Sequence, residues 1–152
     1  MIELLIRYGA DIRKKSPDGW TPLLLACRAN SAAAAETLVS DWALKTEEGG
    51  KSNIDEKDPK GQTALHHAIA NANWDLVRTL TNKGADVNLP NAQGVLPIFP
   101  IVELGDSSLV LGLLTHGAKP NVADKSGMTP LQIAVSRKNT PVAQALFQYG
   151  AR

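Results

Sequence analysis

Residues 61–94 read GQTALHHAIANANWDLVRTLTNKGADVNLPNAQG and span one full period of a repeat. Gly61 and Gly94 lie 33 residues apart, and Gly127 follows after the same step. A second series of glycines has the same spacing: Gly84, Gly117 and Gly150. A period of this length, shared by two independent markers, is typical of a solenoid in which each unit buries its apolar face on its neighbours.

The same period extends toward the N-terminus with one insertion. Gly19 precedes Gly61 by 42 residues, and Gly9 precedes Gly84 by 75 residues. Both offsets contain the same nine extra residues beyond a multiple of 33. We therefore place one insertion within residues 38–53.

Composition and charge limit the classes of function. A chain of 152 residues that is 43% apolar is large enough for one buried core. Its formal net charge of +1 gives no global field that would favour nucleic acid or an anionic membrane. One cysteine, Cys27, excludes an internal disulfide and suits a reducing compartment, and no apolar run is long enough to span a membrane. We expect an intracellular protein of the cytoplasm.

Each repeat is expected to form a turn and two antiparallel helices. In Thr21-Pro22-Leu23 the threonine can cap the first helix, and proline suits the first helical position. Apolar spacing, as in Leu76, Val77 and Leu80, marks the second helix, and a glycine ends it. The predicted helices are Pro22–Ala29, Ala32–Leu44, Ala64–Asn71, Trp74–Asn82, Pro97–Leu104, Ser107–Thr115, Pro130–Arg137 and Pro141–Tyr149.

These residues resemble the ankyrin repeat. Residues 63–68, Thr-Ala-Leu-His-His-Ala, and 84–88, Gly-Ala-Asp-Val-Asn, are similar to its two signature patterns. The resemblance covers essentially the whole chain and implies an all-α repeat solenoid, a stack of helix-turn-helix units with β-hairpin fingers. It implies a single domain over 1–152 with a partial repeat at 1–15, then repeats at 16–57 with an insertion at about 43–52, at 58–90, at 91–123 and at 124–152.

Three features depart from the pattern. In residues 96–101 Pro100 cannot donate a backbone hydrogen bond, so the first helical turn is expected to be loosened. Ile101 is bulky where the other repeats have alanine, which favours an altered stacking angle. Two glycines and three charges predict a mobile loop over Glu47–Lys51. Neither end of the chain shows a polar capping repeat, so we expect a monomeric segment of a longer protein.

Candidate catalytic and metal-binding residues are few. His66 and His67 point about 100° apart on a helix and make a poor metal pair. His66 falls at the histidine of the ankyrin pattern, which implies a structural hydrogen bond, and Cys27 occupies a helix-packing position. No Ser/His/Asp set, phosphate-binding loop or zinc-spaced cluster is present in the sequence. We expect no enzyme activity, no cofactor and no metal.

The resemblance implies a module that binds a protein partner through its concave face. The residue after each turn glycine would lie exposed at a finger: Trp20, Gln62, Val95 and Met128. Three of these four, all except Gln62, are large and apolar. Exposed apolar residues mark a contact surface, although Trp20 or Met128 could instead pack on a neighbouring hairpin. First-helix positions complete the predicted partner-binding set: Arg28, Asn71, Glu103, Leu104 and Arg137.

Two further hypotheses remain open at this point. The chain could be a structural spacer or a regulatory segment of a larger multidomain enzyme, channel or trafficking protein. Asn88 is also a candidate for hydroxylation, because Leu80 and Asp86 precede it with a spacing that resembles the sites of asparaginyl hydroxylases that act on ankyrin repeats. The alternative is that Asn88 bonds the hairpin backbone.

Overall fold

A computed structural model describes residues 11–44 and 53–152, and within these ranges it contains no β-strand. Its helices are α1 (Pro22–Arg28), α2 (Ala32–Leu44), α3 (Ala64–Ala70), α4 (Trp74–Asn82), α5 (Ile98–Leu104), α6 (Ser107–Thr115), α7 (Pro130–Ser136) and α8 (Thr140–Gln148), with a 3-10 turn at Asn53–Asp55. The eight predicted helices are confirmed, with each end within one residue. Residues 1–10 and the predicted loop Glu47–Lys51 lie outside the described ranges.

The chain divides into two compact units, with the boundary between Ala85 and Asp86. In the first unit α1 packs on α2 and α3, and α4 packs on α2 and α3. In the second unit α5 packs on α6 and α7, and α8 packs on α6 and α7. First helices therefore contact first helices, and second helices contact second helices. The single domain over 1–152 stays a prediction.

The predicted fingers are present as tight turns. In the first, the Ser16 amide donates to the Trp20 carbonyl at 2.8 Å, and the Gly19 amide donates to the Ser16 carbonyl at 2.8 Å. Gly19 has a φ of +83°, a conformation that suits glycine because it has no Cβ. Two backbone hydrogen bonds close each turn but do not extend into a ladder. The fingers are therefore hairpin tips without strands in the described ranges.

Threonine caps begin three of the four first helices. The side-chain oxygens of Thr21, Thr63 and Thr129 accept the amides of Leu24, His66 and Gln132 at 3.2, 3.4 and 3.3 Å. Each cap satisfies an amide that has no partner within the helix. The predicted caps are confirmed.

The remaining first helix, α5, starts differently. Leu96 has no hydroxyl to cap it, and the helix begins at Ile98 with no side-chain cap. The Leu96 carbonyl accepts from the Phe99 amide at 3.2 Å, three residues on, whereas the Thr63 carbonyl accepts from the His67 amide, four residues on. Pro100 lacks the amide that would make the four-residue bond. The missing four-residue bond is as predicted, but the turn closes through a tighter three-residue bond and is not loosened.

The core of each repeat consists of small and branched apolar residues. Ala68 and Ala134 are fully buried on the first helices of their repeats, and Ile101 is fully buried at the corresponding position of α5. Packing therefore accommodates the bulkier side chain inside the second unit. The predicted change in stacking angle stays a prediction.

Candidate functional site

The side of each unit that carries the turns and the first helices is called the finger side here. In the first unit its main feature is Trp20, whose ring lies 5.8 Å from the His67 ring at an interplanar angle of 43°. The Arg28 guanidinium lies 4.7 Å from the centre of the indole, in cation–π geometry. Trp20 is half-buried. Trp20 therefore packs on His67 of the next repeat, which lies on the helix α3, whereas the alternative from the sequence named a neighbouring hairpin.

His67 connects two parts of the second repeat. Its Nε2 lies 3.0 Å from Oδ2 of Asp58, whose side chain is fully buried. The other carboxylate oxygen, Oδ1, accepts the amides of Lys60 and Gln62, each at 2.8 Å. One carboxylate thus fixes the finger turn to α3. Sequence reasoning missed this contact, although an aspartate at the first finger position was visible.

His66 has the structural role that the sequence predicts. It is buried, and its Nδ1 accepts the Thr63 amide at 3.2 Å while the Thr63 hydroxyl lies 2.8 Å away. The pair forms a capping box at the start of α3. Within the described part of the chain, no three His, Cys, Asp or Glu side chains converge as metal ligands.

Cys27 is a packing residue. Its side chain is fully buried, and burial raises the pKa of the thiol to about 12. A thiol in this environment stays protonated at neutral pH, so it is a poor nucleophile. The Cys27 carbonyl accepts the side-chain amide of Asn71 at 2.8 Å, which ties α1 to the end of α3.

The second unit has a groove of about 330 Å³ on its finger side. One wall comes from the third repeat, with Val95 on the finger and Phe99, Pro100 and Glu103 on α5. The other wall is the finger turn at residues 124–126. Val95 and Pro100 are half-buried, and Phe99 is buried. The groove therefore combines an apolar floor with a charged rim.

The charges at this rim are mostly engaged within the unit. Arg137 donates to the Glu103 carbonyl at 2.9 Å and lies 3.5 Å from the Glu103 carboxylate. The hydrogen bond from the Ser126 hydroxyl, followed by that from the Met128 amide, lowers the pKa of Asp124. Leu104, one position beyond Glu103, is 54% exposed. These contacts pair the rim charges within the unit, and Leu104 is an exposed apolar residue on the same helix, α5.

The nine predicted partner-binding residues fall into small groups. Trp20 contacts Arg28, and Glu103 contacts Arg137. Glu103 and Val95 line the same groove. The residues after the turn glycines are all half-buried, which is less exposure than the finger position predicts: Trp20, Gln62, Val95 and Met128. For Trp20 the reason is the contact with His67. Partner binding by these residues stays a prediction.

Asn88 bonds the loop that follows the next repeat's second helix. Its side-chain amide donates to the Gly117 carbonyl at 2.9 Å, and its Oδ1 accepts the Lys119 amide at 3.0 Å. Its own amide donates to the Asp86 carboxylate at 2.8 Å. Bonding to backbone is thus a structural role of Asn88, and hydroxylation stays a prediction.

Comparison with known proteins identifies the type of repeat. It agrees with the threonine caps, finger turns and paired helices described above. Residues 1–91 match the family description "Ankyrin repeats (3 copies)", and residues 105–147 match "Ankyrin repeats (many copies)". The chain belongs to the ankyrin repeat family. No helix in the described ranges of this ankyrin chain is long and apolar enough to cross a membrane.

Similar proteins of the ankyrin family come from distant organisms. The chain is 30% identical to the putative ankyrin repeat protein FPV031 of fowlpox virus, over 100% of this chain and 44% of the viral protein. It is 30% identical to the B-cell lymphoma 3 protein homolog of Mus musculus, over 99% of this chain and 33% of that protein. It is 32% identical to the E3 ubiquitin-protein ligase KEG of Arabidopsis thaliana, over 91% of this chain and 8% of the ligase. The chain spans less than half the length of each of these relatives.

Proposed function

We propose that this chain is a protein-recognition module that binds a protein partner on its finger side, without catalysis and without a cofactor. Ankyrin repeats are in general protein-interaction modules, and the observation that carries the proposal here is the groove of about 330 Å³ with its apolar floor. A preorganised surface of this kind binds with little loss of conformational entropy.

The proposed anchors are the apolar groups of the groove and one exposed apolar residue on the same helix, α5. Val95 and Pro100 offer half-buried apolar surface, and Leu104 adds an exposed side chain. Interfaces concentrate their binding energy in a few such anchors, while the charged rim excludes water and sets orientation. Glu103 and Arg137 are the rim in this proposal.

Several observations support recognition rather than catalysis. The Cys27 thiol is buried with a raised pKa, and His66 and His67 are engaged in hydrogen bonds within the repeat. A near-neutral net charge of +1 supports a protein partner over nucleic acid. We also propose a cytoplasmic location and a monomeric state for the chain.

The proposal is tested by site-specific photo-crosslinking. A benzophenone amino acid at position 104, on the finger side, is expected to crosslink a defined protein in extracts. The same probe at position 78 is the matched control, because Arg78 is exposed on the second helix α4. The crosslinked protein is then purified, and its Kd is measured. Leu104→Asp is expected to weaken binding about tenfold, and Arg78→Asp is expected to leave it unchanged. Equal crosslinking at both positions would contradict the proposal.

A regulatory role within a larger protein is the second candidate. It is favoured by the match to a ubiquitin ligase of which the chain covers only 8%. In that case the partner is another domain of the same polypeptide, and the finger-side probe would crosslink in cis in the full-length protein. A purely structural spacer would give no specific crosslink at either position.

A further inference from the structure

Arg28, on the finger side of the first unit, is positioned by an aromatic ring. It lies in the last turn of α1, it is exposed, and its guanidinium is 4.7 Å from the centre of the Trp20 indole. The indole is half-buried and contacts the His67 ring of the next repeat, which fixes its plane. Stacking on a fixed ring restricts a long side chain that would otherwise sample many rotamers in water. Arg28 is therefore already oriented before a partner binds.

The hydrogen-bond donors of this guanidinium are not used within the first unit as described. Across residues 11–44 and 53–152 the Arg28 side chain forms no ion pair and donates no hydrogen bond, although a guanidinium carries five N–H donors. Arg137 of the second unit differs, because it donates to the Glu103 carbonyl at 2.9 Å and lies 3.5 Å from the Glu103 carboxylate. Of these two finger-side arginines, Arg28 is the one that has donors available for a ligand.

Two carboxylates of the second finger are paired with other side chains. Asp58 contacts His67 at 3.0 Å and is fully buried, and Glu56 forms an ion pair with Lys15. Neither of them neutralises Arg28 in the structure. The positive charge of Arg28 is therefore complementary to an anion supplied from outside the unit.

An exposed apolar side chain adjoins this charge. Leu25 lies three residues before Arg28 on α1, which places both on one side of the helix, and it is 45% exposed. Trp20, Leu25 and Arg28 are called the arginine patch here. The residues at the same repeat positions 75 residues later all line the groove of the second unit: Val95, Pro100 and Glu103. The arginine patch thus has, in its own repeat, the place of a groove wall, with a cation where the groove has a carboxylate.

We propose that the arginine patch binds a carboxylate side chain of the protein partner, a glutamate or an aspartate flanked by aliphatic residues. The guanidinium fork matches the two oxygens of a carboxylate and donates two parallel hydrogen bonds to them. Leu25 and the exposed part of the indole cover the aliphatic neighbours of that residue. Phosphate groups on proteins are bound by clusters of arginine, whereas the patch has one. This inference rests on the proposed function and adds the charge of the partner segment to it.

The test is an NMR titration of the isotope-labelled full chain with short peptides. The probe is acetyl-Ala-Leu-Glu-Leu-Ala-amide, and the matched probe has Gln in place of Glu. The reporters are the indole N–H of Trp20 and the side-chain Nε–H of Arg28. The Glu peptide is expected to shift both signals to saturation, with a Kd about fivefold below that of the Gln peptide.

Two variants assign this preference to the guanidinium. Arg28→Gln is expected to bind the two peptides equally, with the Kd that the unchanged chain has for the Gln peptide. Arg78→Gln, at an exposed position of α4 in the same unit, is the matched control and is expected to keep the preference for Glu. Because both arginines are exposed, each variant is expected to melt within about 2 °C of the unchanged chain.

Several results would overturn the inference. Equal affinity for the two peptides, or no saturable shift with either, would show that the patch does not recognise a carboxylate. A preference for Glu that survives Arg28→Gln would assign the contact to another cation. A phosphoserine peptide that binds about tenfold or more tightly than the Glu peptide would identify a phosphate as the ligand instead. The titration reports on the first unit and the crosslink at position 104 reports on the second, so either proposal can fail while the other stands.

Discussion

The helices α3 and α5 hold the same position in their repeats, and they start by different means. α3 begins with a threonine cap, a capping box and the buried contact between His67 and Asp58. α5 is preceded by Leu96 and Pro97, has no side-chain cap, and contains Pro100. Both are seven-residue helices. Local capping is therefore not required where buried residues such as Ile101 hold the helix against its neighbours.

The same comparison of α3 with α5 shows which residues line the groove. At two corresponding positions α3 has His66 and His67, which are buried and hydrogen-bonded within the repeat. α5 has Phe99 and Pro100 there, and both line the groove. The repeat that departs most from the local pattern is thus the one that contributes the groove wall.

The largest expected loss of stability comes from removing the buried carboxylate of Asp58 in the first unit. Asp58→Ala leaves two turn amides and His67 without their acceptor, so the free energy of unfolding is expected to fall by about 2–3 kcal/mol. Urea denaturation measures this free energy of unfolding. Asp124→Ala is the control at the corresponding position of the exposed last finger, where water can replace the carboxylate. Equal losses for the two variants would contradict the comparison.

Removing the cap of α3 and adding a cap to α5 are expected to change the stability of the chain in opposite directions. Thr63→Ala removes the cap of α3 and should lower the free energy of unfolding by about 1 kcal/mol. Leu96→Thr supplies a cap to α5 and should raise it by up to about 1 kcal/mol. Thermal unfolding of both variants tests this. If Leu96→Thr destabilises the chain, the Leu96 side chain contributes more by packing than a cap would.

Pro100→Ile is expected to raise the stability of the chain and to weaken partner binding. It restores an amide that can bond the Leu96 carbonyl, which should stabilise α5 by about 0.5–1 kcal/mol. It also reshapes the groove, so binding of the crosslinked partner is expected to weaken about tenfold. Calorimetry and a Kd measurement give the two readouts. Unchanged affinity would show that Pro100 does not contact the partner.

The smallest expected effect is a pH dependence in the last finger. Hydrogen bonds from the Ser126 hydroxyl and the Met128 amide lower the pKa of Asp124 below its ordinary value of 3.8. The folded state therefore prefers the carboxylate, and the stabilisation is present above that value and is lost as the pH falls below it. Asp124→Asn should flatten the stability profile at pH values below 3.8, measured by urea midpoints. An unchanged slope of stability against pH would mean that other carboxylates dominate the pH dependence.

Helix positions could be predicted from residues alone because their signals act within one repeat. The turn glycine, the threonine cap and the apolar spacing around Leu76 each lie within a few residues of the structure that they specify. The half-burial of Trp20 could not be predicted in this way, since it depends on the His67 ring of the next repeat. The groove was not predicted either, because Pro100 lines one wall and residues 124–126 of another finger form the second wall.

By itself the sequence determined the period, the helix register and the apolar positions of each repeat, because these are properties of neighbouring residues. Only the tertiary structure decided which of those positions are covered. Val102 and Val135 are the same residue type at the same repeat position, yet Val102 is fully buried and Val135 is 62% exposed. The reason is physical, since burial depends on the helix pair that packs against a residue and not on the residue itself.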